Sequence, residues 1–141
     1  MTNQSLDAIK LANKYLTDKK LAHSLRVASY ACEELKLFNS QDILREDVFT
    51  VALLHDVVED TECDFTNLEI SGISEELVET LEILTKSKTE EYSTYIQRIV
   101  NSKNPIALIV KRADIKDHLL QEETLTDKLK DKYYPNIKYI L

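Results

Sequence analysis

Residues 49–61 read FTVALLHDVVEDT. On a helix drawn through this stretch and the residue before it, Val48, Phe49, Val51, Ala52, Leu53, Leu54, Val57 and Val58 leave little polar face. A helix that is apolar nearly all round is a buried helix, so the segment has to lie in the middle of the fold with other elements wrapped about it. It carries His55 and Asp56 into that interior, with Glu59 and Asp60 a turn later. Burying a charged group is costly unless the group is paired or bound to a metal. The rest of the chain has to supply the compensation.

The wrapping elements are helices. One Gly and two Pro in 141 residues are too few turn formers for an all-β fold. A chain that is 43% apolar can fill a single core. The expectation is an all-α, single-domain helical bundle over residues 1–141. Apolar residues at helical spacing predict a first helix over about 5–17, with the stripe Leu6, Ile9, Ala12 and Leu16. A second over about 19–37 has the stripe Leu21, Leu25, Ala28, Cys32 and Leu35. His23 lies off that stripe, beside Val27, Tyr30 and Ala31, which makes this a two-sided helix. A third is expected to start at the cap residues Asn39 and Ser40 and to run unbroken to about Val58. The stretch around Gly72 reads as a loop. Ser74 caps a helix over about 75–85, and another covers about 90–100. Asn104-Pro105 is a helix start for a buried helix through Leu120. A last helix is expected over about 121–132, followed by a tail that docks back.

A formal net charge of −7 argues against a nucleic-acid surface, which is normally basic. It leaves room for an anionic small ligand, because a bound cation reverses the local field. No apolar run is long enough to span a membrane, and the start of the chain has no signal-peptide core. The expected compartment is the cytoplasm, and self-association into a homo-oligomer is compatible with all of this. Cys32 and Cys63 form no disulfide framework and no zinc–thiolate pattern.

Two other places share the oddity of His55 and Asp56. His23 sits on a two-sided helix, and Asp114 follows the apolar run IALIV by one turn. A lone buried histidine or aspartate is usually a satisfied structural residue. Two imidazoles and two carboxylates together form a natural set for one divalent transition metal, and a bundle core is a usual place for such a site. His23, His55, Asp56 and Asp114 are therefore the candidate ligands. Glu59 and Asp60 are left over, and a spare carboxylate beside a metal can take a proton from water or hold it in line.

The pattern of His23, the pair His55-Asp56 and the distal Asp114 resembles the HD-domain metal-dependent phosphohydrolases, an all-helical family, over residues of about 20–120. HDVVEDT is similar to the HDxxEDT motif in the hydrolase domain of RelA/SpoT-type enzymes and of small alarmone hydrolases. VKRADIKDHL and ILTKSKTEEYSTYIQRI are similar to further segments of that group. The resemblance implies removal of the 3′-diphosphate of guanosine polyphosphates, usually with manganese, although iron, cobalt, nickel or zinc also suit such donors. It implies that His23, His55, Asp56 and Asp114 hold the metal and that Glu59 and Asp60 activate water. The implied partner is a small phosphorylated nucleotide.

The sequence departs from that group in its nucleoside-recognition part. His118 stands where the group has Asn, Ser24 where it usually has Pro, and NKYLTDKKLAHSLRVA lacks its Arg-Lys-Asp motif. Lys19, Lys20, Arg26, Lys111 and His118 are the available candidates for substrate contact. Three other readings stay open: a phosphohydrolase of another nucleotide, a nucleoside monophosphate or triphosphate; a sensor that binds metal and nucleotide without turnover; and a purely structural helical module whose polar residues are coincidental.

Overall fold

A computed structural model describes residues 2–37, 42–121 and 125–140, and every element among them is helical. The helices are α1 Asn3–Tyr15, α2 Asp18–Leu35, α3 Arg45–Leu54, α4 Val57–Asp60, α5 Phe65–Ile70, α6 Glu75–Leu84, α7 Tyr92–Ser102, α8 Pro105–Leu120 and α9 Asp127–Ile140. None of them is long and apolar enough to cross a membrane.

Local chemistry sets most boundaries. The Thr2, Thr17, Ser74 and Asn104 side chains each accept a backbone N–H in the first turn of the helix that follows. Pro105 opens α8, where its missing N–H costs nothing. Lys103 ends α7 in the left-handed region with φ 56°, which reverses the chain into the Asn104 cap.

α3 is the central element. Val48, Val51, Ala52, Leu53 and Leu54 are all buried, as the apolar run requires. α2 packs on α3 and on α8, and α1 packs on α3. In α1 and α2 the buried faces overlap the expected stripes in Ala12, Leu16, Ala28 and Cys32, with Leu21 and Leu35 packed against the core, and are shifted from them elsewhere. α1 buries Ser5, Ala8, Leu11 and Ala12, leaving Leu6 and Ile9 exposed; α2 buries Ser24, Val27, Ala28, Ala31 and Cys32, leaving Leu25 exposed.

Three expected elements come out differently. The unbroken third helix is two helices, because α3 ends at Leu54 and α4 begins at Val57. His55 Nδ1 donates to the Ala52 carbonyl at 2.6 Å, and the His55 backbone N–H reaches the same oxygen at 3.5 Å. That carbonyl would accept the Asp56 N–H in a continuing helix. The expected caps Asn39 and Ser40 lie outside the described residues; α3 itself starts at Arg45, with no side-chain cap bond from Leu44.

The loop around Gly72 contains α5, which has a capping box: Asp64 Oδ1 accepts from the Asn67 backbone and Asn67 Oδ1 accepts from the Asp64 backbone. The last helix runs over 127–140 instead of about 121–132, and takes up most of the expected tail. Pro135 lies inside it, and Tyr133, Asn136 and Ile140 are buried along it. Their spacing of three and seven puts them on one face, and docking of that face on α7 and α8 overrides the local cost of the proline.

Leu54 is 1% exposed and is the last residue of α3 before His55. Leu54→Ala removes buried methyl groups where the surrounding helices cannot close in. It should cost about 2–4 kcal/mol of stability, read as a lower urea midpoint at unchanged slope. A loss under about 1 kcal/mol would mean that α3 is not the packed centre.

Candidate metal centre

The break in α3 places His55 and Asp56 at a helix end that points between α2 and α8. His23 comes from the second turn of α2 and Asp114 from the middle of α8. One ligand atom from each of His23, His55, Asp56 and Asp114 can be chosen so that all lie within 4.8 Å of one another. Asp114 Oδ1 is 2.9 Å from His23 Nε2 and 3.4 Å from His55 Nε2; Asp56 Oδ2 is 3.5 Å and 3.1 Å from the same two atoms. Donors bound about 2.0–2.2 Å from one ion at right angles stand roughly 3 Å apart, which is the spacing seen here.

The orientation of the rings is a second test of fit. His55 Nδ1 faces the Ala52 carbonyl, so it carries the proton. His23 Nδ1 lies 2.6 Å from Asp117 Oδ2 and carries one for the same reason. Both neutral rings therefore turn Nε2 inward as an acceptor, against carboxylate oxygens that are also acceptors. His55 Nε2 is buried and finds no hydrogen-bond partner among the described residues. Acceptors that converge on a common point need a cation between them. The donor set, two imidazoles and two carboxylates, fits a divalent metal.

Without a metal, protons take that part. Burial works against a charged His23, but bonds to Asp114 and Asp56 outweigh it and raise its pKa to about 9. His55 is raised well above its ordinary value against its own complete burial, by the charges of Asp56 and Asp114. Burial likewise opposes ionisation of Asp114, but the Lys111 ammonium and the surrounding imidazoles hold its carboxyl well below the usual range. Asp56 is held low chiefly by His55, again against burial.

Lys111, expected to meet substrate, is 8% exposed. Its ammonium donates to Asp114 Oδ2 at 2.8 Å and lies over the Tyr95 ring at 4.9 Å and the Tyr92 ring at 5.6 Å. Arg26 donates from Nε and one terminal nitrogen to the two oxygens of Asp117, at 2.7 and 3.0 Å. His118 Nε2 lies 3.2 Å from Asp114 Oδ1, and its ring stands between those of His23 and Tyr133, the latter stacked at 5.2 Å.

Two cavities flank the cluster. One, of about 330 Å³, is walled by Lys19, Lys20, Arg26, Asp117 and Gln121. The other, of about 280 Å³, is walled by Glu59, Lys86, Tyr92, Lys111, Lys132 and Tyr133. Asp56, Asp60, His118 and Leu129 line both. A larger apolar cavity of about 610 Å³ between α2 and α8 contains none of the four cluster residues, so chemistry and not size locates the site.

The two spare acids differ. Glu59 is exposed by area, yet its carboxyl sits far enough into the cavity wall for desolvation to raise its pKa; the Lys86 backbone N–H, 2.9 Å from Oε1, pulls the other way and fixes the group in place. Asp60 is paired with Lys20 at 2.8 Å.

Sequence reasoning did not find Asp117, Tyr92, Lys132 or Tyr133. Asp117 had a signal. His23 and Arg26 are three apart on α2, Asp114 and Asp117 are three apart on α8, and residues three apart share a helix face. The other three depend on how α7 and α9 dock, which no local pattern states.

No curated protein matches the chain. The model of the HD domain matches residues 21–119, a span that contains His23, His55, Asp56 and Asp114. HD domains are typically metal-dependent hydrolases, and the His/Asp cluster is of the kind that suits them. The chain belongs to the HD domain family.

Proposed function

We propose that the protein is a metal-dependent phosphohydrolase of a phosphorylated nucleotide, with the 3′-diphosphate of guanosine polyphosphates as the leading substrate and manganese as the leading ion. The observation that carries this reading is the convergence of His23, His55, Asp56 and Asp114 donor atoms within 4.8 Å of one another, with Glu59 on the adjoining cavity wall. His23 and His55 through Nε2, and Asp56 and Asp114 through a carboxylate oxygen, would hold the ion. A divalent ion there supplies a Lewis acid for a phosphoryl oxygen and makes nearby water more acidic.

The chain's own groups do the rest. A phosphate ester binds against Lys132 and Lys86, with the Tyr92 hydroxyl buried and without a hydrogen bond among the described residues at the same wall. Glu59 is the base. Desolvation in the cavity wall makes its carboxylate more basic, and the Lys86 backbone N–H holds it in place. Lys111 keeps Asp114 ionised and adds positive charge where the phosphoryl oxygens gain negative charge. Asp60, paired with Lys20, positions water or closes the wall between the two cavities. Lys19 and Lys20 reach a nucleoside-borne phosphate from the α2 side, and His118 faces both cavities. His118 in place of the group's Asn leaves the base-recognition contacts of this chain its own.

The test of the reading is a hydrolysis screen with manganese and other divalent ions. It covers guanosine tetraphosphate, nucleoside monophosphates and nucleoside triphosphates. Turnover of guanosine tetraphosphate is the expected result. Turnover of a different nucleotide alone would overturn the guanosine polyphosphate reading and leave the broader phosphohydrolase standing; cleavage of nothing, by a chain that does bind metal, would make it a sensor.

Two substitutions separate holding the metal from using it. Asp56→Ala removes a ligand and should abolish both metal content and turnover. Glu59→Gln keeps size and shape and loses basicity, so it should keep fold and metal while turnover falls by roughly 10²–10⁴-fold. Metal content and rate measured on one purified E59Q sample decide the point, since a near-normal rate would return Glu59 to the solvent-exposed helix end.

A further inference from the structure

Asp117 is 1% exposed, and both of its oxygens are engaged. Oδ2 lies 2.6 Å from His23 Nδ1 and 3.0 Å from an Arg26 terminal nitrogen; Oδ1 accepts from Arg26 Nε at 2.7 Å. The Arg26 guanidinium is the fork that matches a carboxylate, and here it is spent on one. That is a costly arrangement for a surface salt bridge and a useful one for aiming a ring. With both oxygens and the plane of the carboxylate fixed, His23 can turn only one edge to it, and the other edge, Nε2, is delivered toward Asp56 and Asp114.

The companion imidazole is oriented differently. His55 Nδ1 donates to a neutral backbone carbonyl three residues away. Both rings present Nε2, but only His23 is backed by an anion. A carboxylate behind a ligating imidazole fixes its tautomer and increases its basicity toward a metal. Arg26, at the wall of the α2-side cavity, holds both oxygens of that carboxylate with its guanidinium.

We infer that Asp117, held by Arg26, is a positioning residue for the metal: it fixes the His23 ring so that Nε2 faces the ion site and strengthens it as a donor. Arg26 acts through Asp117 and not by direct contact with substrate. The inference rests on the metal centre proposed above and adds to it two residues whose effect is on metal affinity.

The experiment measures Mn2+ and Zn2+ affinity of the purified chain by competition with a chromophoric chelator. The variants are Asp117→Asn, Arg26→Gln, the double variant, and Asp127→Asn as a control for the loss of one negative charge at a fully exposed position. Asp117→Asn should weaken binding by about 10–100-fold, and Arg26→Gln by a smaller factor. The double variant should be no worse than Asp117→Asn alone, because the two residues act in series. Asp127→Asn should bind as the parent does.

Far-UV circular dichroism and the melting temperature of the metal-free samples establish that each variant is folded. If Asp117→Asn fails to fold, the half-exposed Arg26→Gln carries the test: an affinity equal to that of the parent would overturn the inference. With Zn2+ bound, the ring nitrogen shifts of His23 should show Nε2 coordinated and Nδ1 protonated in the parent, a signature that general loosening of the bundle does not produce. Parent-like affinity in D117N, or losses that simply add in the double variant, would sink the positioning role and leave the metal centre standing. A parent chain that binds neither ion would sink both.

Discussion

Three imidazoles meet one carboxylate oxygen. Asp114 Oδ1 lies 2.9 Å from His23 Nε2, 3.4 Å from His55 Nε2 and 3.2 Å from His118 Nε2, while its other oxygen is tied to Lys111. An aspartate 4% exposed and so surrounded is an anion around which the interior is arranged. Removing any one of these partners leaves the buried carboxylate in a medium that solvates its charge poorly. The helices that carry these residues, α2, α3 and α8, are therefore fixed to each other electrostatically as well as by apolar packing, and the same constraint gives a metal a ready set of donors.

Much of this could be seen in the chain before any coordinates. The apolar run 48–54 required a central helix, and α3 is that helix. The imidazoles and carboxylates stood out because they interrupt apolar stretches, and the structure brings His23, His55, Asp56 and Asp114 together. What the sequence hid falls into two kinds. One is the competition of a side chain with its own backbone. The His55 ring claims the Ala52 carbonyl and ends α3, and nothing in the letters of FTVALLHDVVEDT distinguishes that from a continuing helix. The other is docking over long separations. Pro135 reads as a stop, yet the face made by Tyr133, Asn136 and Ile140 finds a seat on α7 and α8, and the helix passes through the proline.

The spare acids show the same division. Glu59 was legible as an acid near the pair His55-Asp56, but its aim comes from the Lys86 backbone, 27 residues further on. Lys20 was legible as a cation near His23, but its place beside Asp60 is a tertiary fact. Arg26 was legible as a cation near His23, but its grip on Asp117 is a tertiary fact. Types of residue and their rough neighbourhood follow from spacing; which partner each one takes follows from how α2 and α8 meet.

The two imidazoles also differ in when they can be ready. His55 takes its orientation from Ala52, three residues away, so that half of the site exists as soon as α3 does. His23 takes its orientation from Asp117, 94 residues away, and is free to spin until α2 and α8 have come together. Local contacts form early in folding and distant ones wait for chain closure. The His23 ring is thus aimed only where α2 and α8 are docked, whereas the His55 ring is aimed by the end of α3 alone.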